Sequence, residues 1–218
     1  MLEKIISEKW LSAQAVVGFY PANSIDHDDI RVFTDAGKNE ELTRLCHLRQ
    51  QRGKPDGQSH YCLADFVAPL GTGADDYVGG FAVTAGIGID EHVKRFEDDH
   101  DDYSSILLKA LADRLAEALA EHMHERARKE FWGYADAEEL TNEDRIAERY
   151  AGIRPAPGYP ACPDHTEKAK LWELLQVEKY IDLRLTESFA GRKGMSVGEA
   201  ERWLAPNLGY DPAKADAA

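Results

Sequence analysis

The chain has 218 residues, 43% of them hydrophobic and 30% charged, which suits one globular domain with a sizeable core. Its formal net charge of −14 argues against a nucleic-acid or anionic-membrane binder, since both require basic surface. No apolar run reaches spanning length, no charged-then-apolar leader opens the chain, and Cys46, Cys62 and Cys162 lack paired CxxC spacing, so reduced thiols and a cytoplasmic location are expected.

From the N-terminus, Leu2 to Leu11 alternates charged and apolar residues as an amphipathic helix does. Ala15 to Tyr20 reads as a buried strand closed by Pro21 and Asn23. Ile30 to Thr34 is a second strand, and His27-Asp28-Asp29 turns the pair into a hairpin. Leu42, Leu45 and Leu48 give Glu40 to Gln51 helical spacing, and a loop over Gly53 to Gly57 follows. Tyr61 to Val67 and Tyr77 to Thr84 are predicted strands on either side of Gly71-Thr72-Gly73. The longest element is a helix beginning at Asp102. Along it Tyr103, Ile106, Leu107, Ala110, Leu111, Leu115, Ala118, Leu119 and Met123 recur at three- and four-residue spacing. Asp101 or Asp102 can cap its start, and Arg126, Arg128 and Lys129 suit the negative end of its dipole. Shorter helices are predicted over Asn142 to Tyr150 behind a Thr141 cap, over Glu167 to Leu175, and over Ser196 to Leu204 with a Ser196-x-x-Glu199 capping box. The tail after Tyr210 is expected to fray. These elements sum to an α+β fold, an antiparallel sheet flanked by helices with one long central helix.

Two features carry chemistry. The run RPAPGYPACPDHTEK, Arg154 to Lys168, contains Pro155, Pro157, Pro160 and Pro163, which fix φ and remove donors, so neither a helix nor a central strand can form there. Gly158 lets a ligand approach the main chain, and Arg154 offers a planar fork for a carboxylate or phosphate. So stiff a loop orders at little entropic cost, as a binding loop requires, yet a proline-rich connection between helices explains the composition equally well. Arg154 likewise reads as a ligand fork or as an ion pair with Glu148 or Glu143, worth at most about 1 kcal/mol at a surface. Tyr159 either packs on a ligand or is a core aromatic with a wet hydroxyl. The second feature is the acidic stripe Asp113, Glu117, Glu121 at successive i+4 positions, each neighbouring pair costing roughly 0.2–0.5 kcal/mol. Lys109 and Arg114 offset part of that. A solvated face is the commoner meaning of such a stripe, and a site for a cationic ligand is the alternative. A metal site is not expected, because His122 and His124 diverge on a helix and no histidine stands in an HExxH pattern. No strand–GxGxxG–helix unit is present either, which argues against a Rossmann methyltransferase.

Arg154-x-x-x-Gly158-Tyr159 stands among six ordered blocks: VVGFYPAN (Val16–Asn23), HYCLADFVAP (His60–Pro69), HDDYSSILLKALADRLAEALAEHMHERARKEFWGY (His100–Tyr134), TEKAKLWELL (Thr166–Leu175), LTESFA (Leu185–Ala190) and GMSVGEAERWLAPNLGYDP (Gly194–Pro212). In these blocks the chain resembles the S-adenosylmethionine (AdoMet)-binding activation domain at the C-terminus of cobalamin-dependent methionine synthase. The resemblance implies that residues 1–212 form that domain and that 213–218 are a disordered tail. It implies AdoMet as ligand, its carboxylate on Arg154, with Pro155, Ala156, Gly158 and Tyr159 forming the binding loop and their main chain reading the adenine. It further implies that Glu117 and Glu148 lie near the ligand. The function so implied is reductive reactivation: a flavodoxin-type protein supplies an electron to inactive cob(II)alamin, and AdoMet donates the methyl group. Orientation of the sulfonium methyl, rather than acid–base chemistry, would be the domain's contribution, so no catalytic residue is expected. Cobalamin would be held only by a separate domain, because Asp90-Glu91-His92 begins the Asp-x-His-x-x-Gly pattern but Arg95 occupies the glycine position.

The chain departs from the family pattern in two places. ESFA runs straight into GRKGMSV at Ala190–Gly191, where the family has a further segment with a Tyr pair that helps enclose AdoMet. The resemblance also implies an N-terminal arm supplying an AdoMet-contacting Asp, which is not expected within these 218 residues. Reduced affinity is therefore expected, and an AdoMet-independent docking module for a cobalamin domain or redox partner is the alternative function.

Overall fold

The apolar runs of the N-terminal half pair with one another into a sheet. The computed structural model describes residues 1–181, 183–185 and 197–204. Within them β1 (Ser12–Ile25), β2 (Asp29–Phe33), β3 (Glu41–Cys46), β4 (Tyr77–Ile87) and β5 (Val197–Leu204) lie in the order β3-β2-β1-β4-β5, each neighbouring pair antiparallel. The α+β architecture expected from the sequence is present. β1 does not stop at Pro21, as the sequence suggests, but changes partner there. Residues up to Pro21 face β4, and from Ala22 onward the strand pairs with β2. A residue without an N–H is tolerated at such a switch point. The hairpin turns through a three-residue connection, Asp26-His27-Asp28, in which Asp26 and His27 are at positive φ (51° and 72°).

Helices cover the sheet. α1 (Leu2–Glu8) is shorter than predicted and ends at Lys9 in the left-handed region. α2 (Ile89–Asp98), which the sequence reading did not assign, leads through His100 into α3 (Asp102–Arg126). Asp101 caps α3, its carboxylate accepting from Ser104 N at 3.0 Å. A π-helical turn, Ala127–Phe131, continues α3. α4 (Asn142–Ile146) starts behind the predicted Thr141 cap but stops well before Tyr150, and α5 (Glu167–Leu174) matches its predicted span closely. α6 (Val177–Tyr180) closes the described helices.

α3 packs on β4 through a narrower stripe than its sequence periodicity indicates. Leu108, Ala112, Ala116 and Ala120 are buried, whereas Tyr103 and Ile106 remain largely exposed. The alanines let the helix axis approach Phe81 and Val83 of β4, and Ala120 and Met123 join these two in one cluster. A second cluster lies under β2 and β3, where Ile30, Val32, Leu45, Leu63, Phe66 and Cys162 meet. Through Cys162 the proline-rich loop is anchored in the core.

Three predicted elements have another conformation. Glu40 to Gln51 is not a helix: only Leu45 of its three leucines is buried, while Leu42 and Leu48 are exposed, and the segment pairs with β2 as β3. Tyr61 to Val67 is not a strand but contains a 3-10 turn, Leu63–Phe66, in which Asp65 Oδ2 accepts from Cys62 N at 3.0 Å. Ser196 to Leu204 is not a helix; Val197–Leu204 is β5, covering the free edge of β4. In each case a partner distant in sequence, or a local side-chain bond, outweighs a weak intrinsic preference. The Ala190–Gly191 junction and the tail after Tyr210 lie outside the described residues.

Candidate functional site

The proline-rich segment folds into a chain of interlocking turns. Gly158 N donates to Cys162 O at 2.7 Å, Tyr159 N to Ala156 O at 2.9 Å, and Cys162 N to Tyr159 O at 2.9 Å. Leu63 N donates to Ala161 O at 3.1 Å, tying the loop to the 3-10 turn, and His47 Nδ1 lies 3.3 Å from the buried Cys162 Sγ. Pinned at several points, the loop is stiff before any ligand arrives. The N–H groups of Gly158 and Tyr159 are consumed by these turns, so an adenine edge would have to be read by other main-chain groups.

Gly158 is at φ +110°, and a Cβ added there would meet His165 Cε1 at 2.2 Å. The backbone conformation requires a glycine, whereas the exposed His165 ring could swing away from an added Cβ. Ala156 is fully buried, whereas Tyr159 is about half exposed and available at the rim. Asp164 closes the loop with its Oδ1 accepting from Thr166 N at 2.8 Å and Thr166 Oγ1 at 2.7 Å; these bonds hold its carboxyl below the usual range.

At the head of the loop, Arg154 reaches back to α3. Its Nη2 donates to Glu121 Oε2 at 2.9 Å, and the two side chains are 19% and 26% exposed, leaving the pair accessible to a ligand. The ion-pair partner of Arg154 is thus Glu121 of the acidic stripe, rather than Glu143 or Glu148, because α3 and not α4 faces the head of the loop. Tyr150 is buried beside this pair. Burial pushes its phenol up to about 12; Glu148 and Glu121 add to the rise, and Arg154, hydrogen-bonded to it, opposes it. Arg154, Glu121 and Glu148 thus gather around one phenol. Glu148 itself is at φ 52° just after α4 and is exposed. Glu117 lies one turn before Glu121 on α3, solvent-exposed and ion-paired with Arg114, so part of the stripe is a solvated face.

Behind Tyr150 is a polar core that the sequence did not announce. Arg128, wholly buried in the π-helical turn, donates from Nη2 to Glu138 Oε2 at 2.8 Å and from Nη1 to His124 Nδ1 at 2.7 Å. Its guanidinium lies 4.4 Å from the Tyr150 ring centre, and His124 meets the same ring edge-on at 4.7 Å. Burial, then the positive charges of Arg128 and Arg154, hold the His124 imidazole well below its ordinary range, so it is neutral and accepts through Nδ1. The i,i+4 spacing of His124 and Arg128 was the one visible sign of this cluster.

Other features serve the fold. A cleft of about 760 Å³ is lined by residues including His27, Arg49 and Asp65. Its Arg49 is held in a fork by Asp65 (2.7 and 2.8 Å) and also donates to the His27 carbonyl, which fixes the hairpin to the 3-10 turn. His92 stacks on Trp10 with ring centres 4.4 Å apart. Among the described residues no group of three His, Cys, Asp or Glu side chains has metal-binding geometry, and no helix is long and apolar enough to cross a membrane.

Residues 1–199 match the family model described as the vitamin B12 dependent methionine synthase, activation domain. The fold superposes on a solved structure described as the crystal structure of the MetH reactivation domain bound to AdoHcy, with a TM-score of 0.88 and 52% sequence identity. That match covers 97% of this chain and 64% of the other, so the present chain spans somewhat less than two thirds of its relative's length.

Proposed function

Because the chain belongs to the family of the vitamin B12-dependent methionine synthase activation domain, we propose that it binds AdoMet in the Arg154–Tyr159 loop and presents it to a cobalamin-binding domain. When bound, AdoMet supplies the sulfonium methyl group that restores methylcobalamin once a flavodoxin-type donor has reduced the inactive cofactor. The chain's own residues bind and orient. Arg154 takes the ligand's carboxylate, the stiff loop formed by Pro155, Ala156, Gly158 and Tyr159 receives the adenosyl group, and Glu148 puts negative charge near the ligand; Glu117, exposed and paired with Arg114, would have to leave that pair to do the same. Cobalamin and the electron donor come from elsewhere, and residues 1–212 are the extent we assign to the domain.

The observation that carries this reading is the pre-ordered cradle: a mostly buried but still accessible guanidinium at the head of a loop whose glycine is enforced by its backbone conformation. A loop already held by its own hydrogen bonds loses little freedom on binding. The 52% identity to a domain that holds AdoHcy favours this over an AdoMet-independent docking module. Titration calorimetry with AdoMet tests it. Saturable binding should weaken by about 10- to 100-fold in Arg154→Ala, the loss expected for a charge-assisted hydrogen bond. A folded protein that takes up no AdoMet would remove the proposal.

A further inference from the structure

The proposed binding mode depends on Arg154, and a long, flexible side chain has to be held in place before it can meet a planar ligand group at little entropic cost. One hold is the ion pair of its Nη2 with Glu121 Oε2 at 2.9 Å. The other is Tyr150, whose hydroxyl is hydrogen-bonded to the same side chain. A guanidinium has no acceptor, so in that bond the phenol oxygen accepts. With its pKa pushed up to about 12 the phenol stays neutral. It therefore steadies Arg154 without adding a second negative charge to that of Glu121, and the cation keeps its attraction for a ligand carboxylate.

Tyr150 is itself fixed. It is 4% exposed, the Arg128 guanidinium lies 4.4 Å from its ring centre, and the His124 ring meets it edge-on with centres 4.7 Å apart. These two groups are anchored in turn, Arg128 to Glu138 Oε2 at 2.8 Å and to His124 Nδ1 at 2.7 Å. The backbone beside Tyr150 is tied as well, Tyr134 Oη donating to Ala151 O at 3.2 Å. A ring needed only for packing could be a phenylalanine, which has no buried hydroxyl to satisfy. Here the hydroxyl is present, and its partner is the arginine at the head of the binding loop. We propose that Tyr150 is a positioning residue: held by Arg128 and His124, it sets the orientation in which the Arg154 guanidinium meets the ligand. This inference rests on the AdoMet reading of the same loop and adds to it a residue that acts through Arg154 rather than by touching the ligand.

Tyr150→Phe tests this, because it keeps the ring and its contacts and deletes only the hydroxyl. AdoMet binding would be measured by calorimetry in wild type, Tyr150→Phe, Arg154→Ala and the double variant, with thermal unfolding of each. Tyr150→Phe should bind AdoMet about 3- to 10-fold more weakly, the worth of one hydrogen bond, while its melting temperature falls by a few degrees at most. In the Arg154→Ala background the same substitution should change affinity by less than about twofold, since the group it positions is gone. A second readout needs no ligand: in heteronuclear NMR spectra the Arg154 guanidinium signal, identified by its loss in Arg154→Ala, should report faster side-chain rotation in Tyr150→Phe than in wild type. Unchanged affinity in Tyr150→Phe overturns the inference, as does an equal loss with and without Arg154, and as do identical guanidinium signals in the two proteins. If Arg154→Ala binds too weakly for the comparison, the guanidinium signals decide. A wild type that binds AdoMet, is weakened by Arg154→Ala and is indifferent to the Tyr150 hydroxyl leaves the AdoMet reading standing and removes this inference alone. A folded wild type that takes up no AdoMet removes both.

Discussion

Removing the Glu138 carboxylate should be among the most damaging single changes available outside the apolar core. Arg128 is wholly buried, Glu138 is 11% exposed, and three contacts between 2.8 and 3.3 Å join them. In Glu138→Ala the guanidinium would keep only the neutral His124 acceptor and the face of Tyr150. Neither neutralises a charge. Stranding one member of a buried pair costs about 3–5 kcal/mol, and the slight exposure of Glu138 admits enough water to favour the lower end. At roughly 2–4 °C per kcal/mol for a domain of this size, a loss of about 3 kcal/mol lowers the melting temperature by about 6–12 °C. Urea unfolding with an unchanged m-value would measure the loss directly. A control separates stranding from simple loss of contacts: Arg128→Met combined with Glu138→Leu removes both charges and should cost less than Glu138→Ala alone. A single-variant loss below about 1 kcal/mol would refute the reasoning, because that is the value of a surface pair.

Two further outcomes follow from the same region. In Gly158→Ala the exposed His165 ring can swing away from the new Cβ, but the backbone remains at φ +110°, so a loss of about 1–3 kcal/mol is expected and should persist in a Gly158→Ala/His165→Ala double variant; thermal melts matching wild type would contradict the enforced-glycine argument. The depressed pKa of His124 gives stability a definite pH dependence. Below its ordinary value near 6.5 the unfolded chain binds a proton that the folded chain refuses, so this contribution is complete above pH 6.5 and declines as the pH falls, by up to about 1.4 kcal/mol per unit. Urea midpoints between pH 7.5 and 5.5 should show the decline, with a shallower one in His124→Asn; identical slopes in the two proteins would exclude His124 as its source.

What the sequence determined by itself is what depends on neighbours along the chain. α3 was legible because its apolar residues repeat at helical spacing behind an aspartate cap, and the first hairpin because two short apolar runs flank a polar turn. The Arg154–Gly158–Tyr159 loop was legible because prolines forbid regular structure and a glycine permits a close approach. Contacts across the chain were not legible. Glu40 to Gln51 became β3 because β2 offered it a ladder, and the free edge of β4 drew residues 197–204 into β5, since strand stability resides in the partner rather than in the segment. The site divides in the same way. Sequence identified Arg154 as a fork for a carboxylate, but only the tertiary structure decided that it meets Glu121, 33 residues earlier, and that Arg128 and His124 hold Tyr150 behind it. Which charges become partners depends on where the packing of α3 against the sheet leaves them, and spacing along the chain contains no record of that.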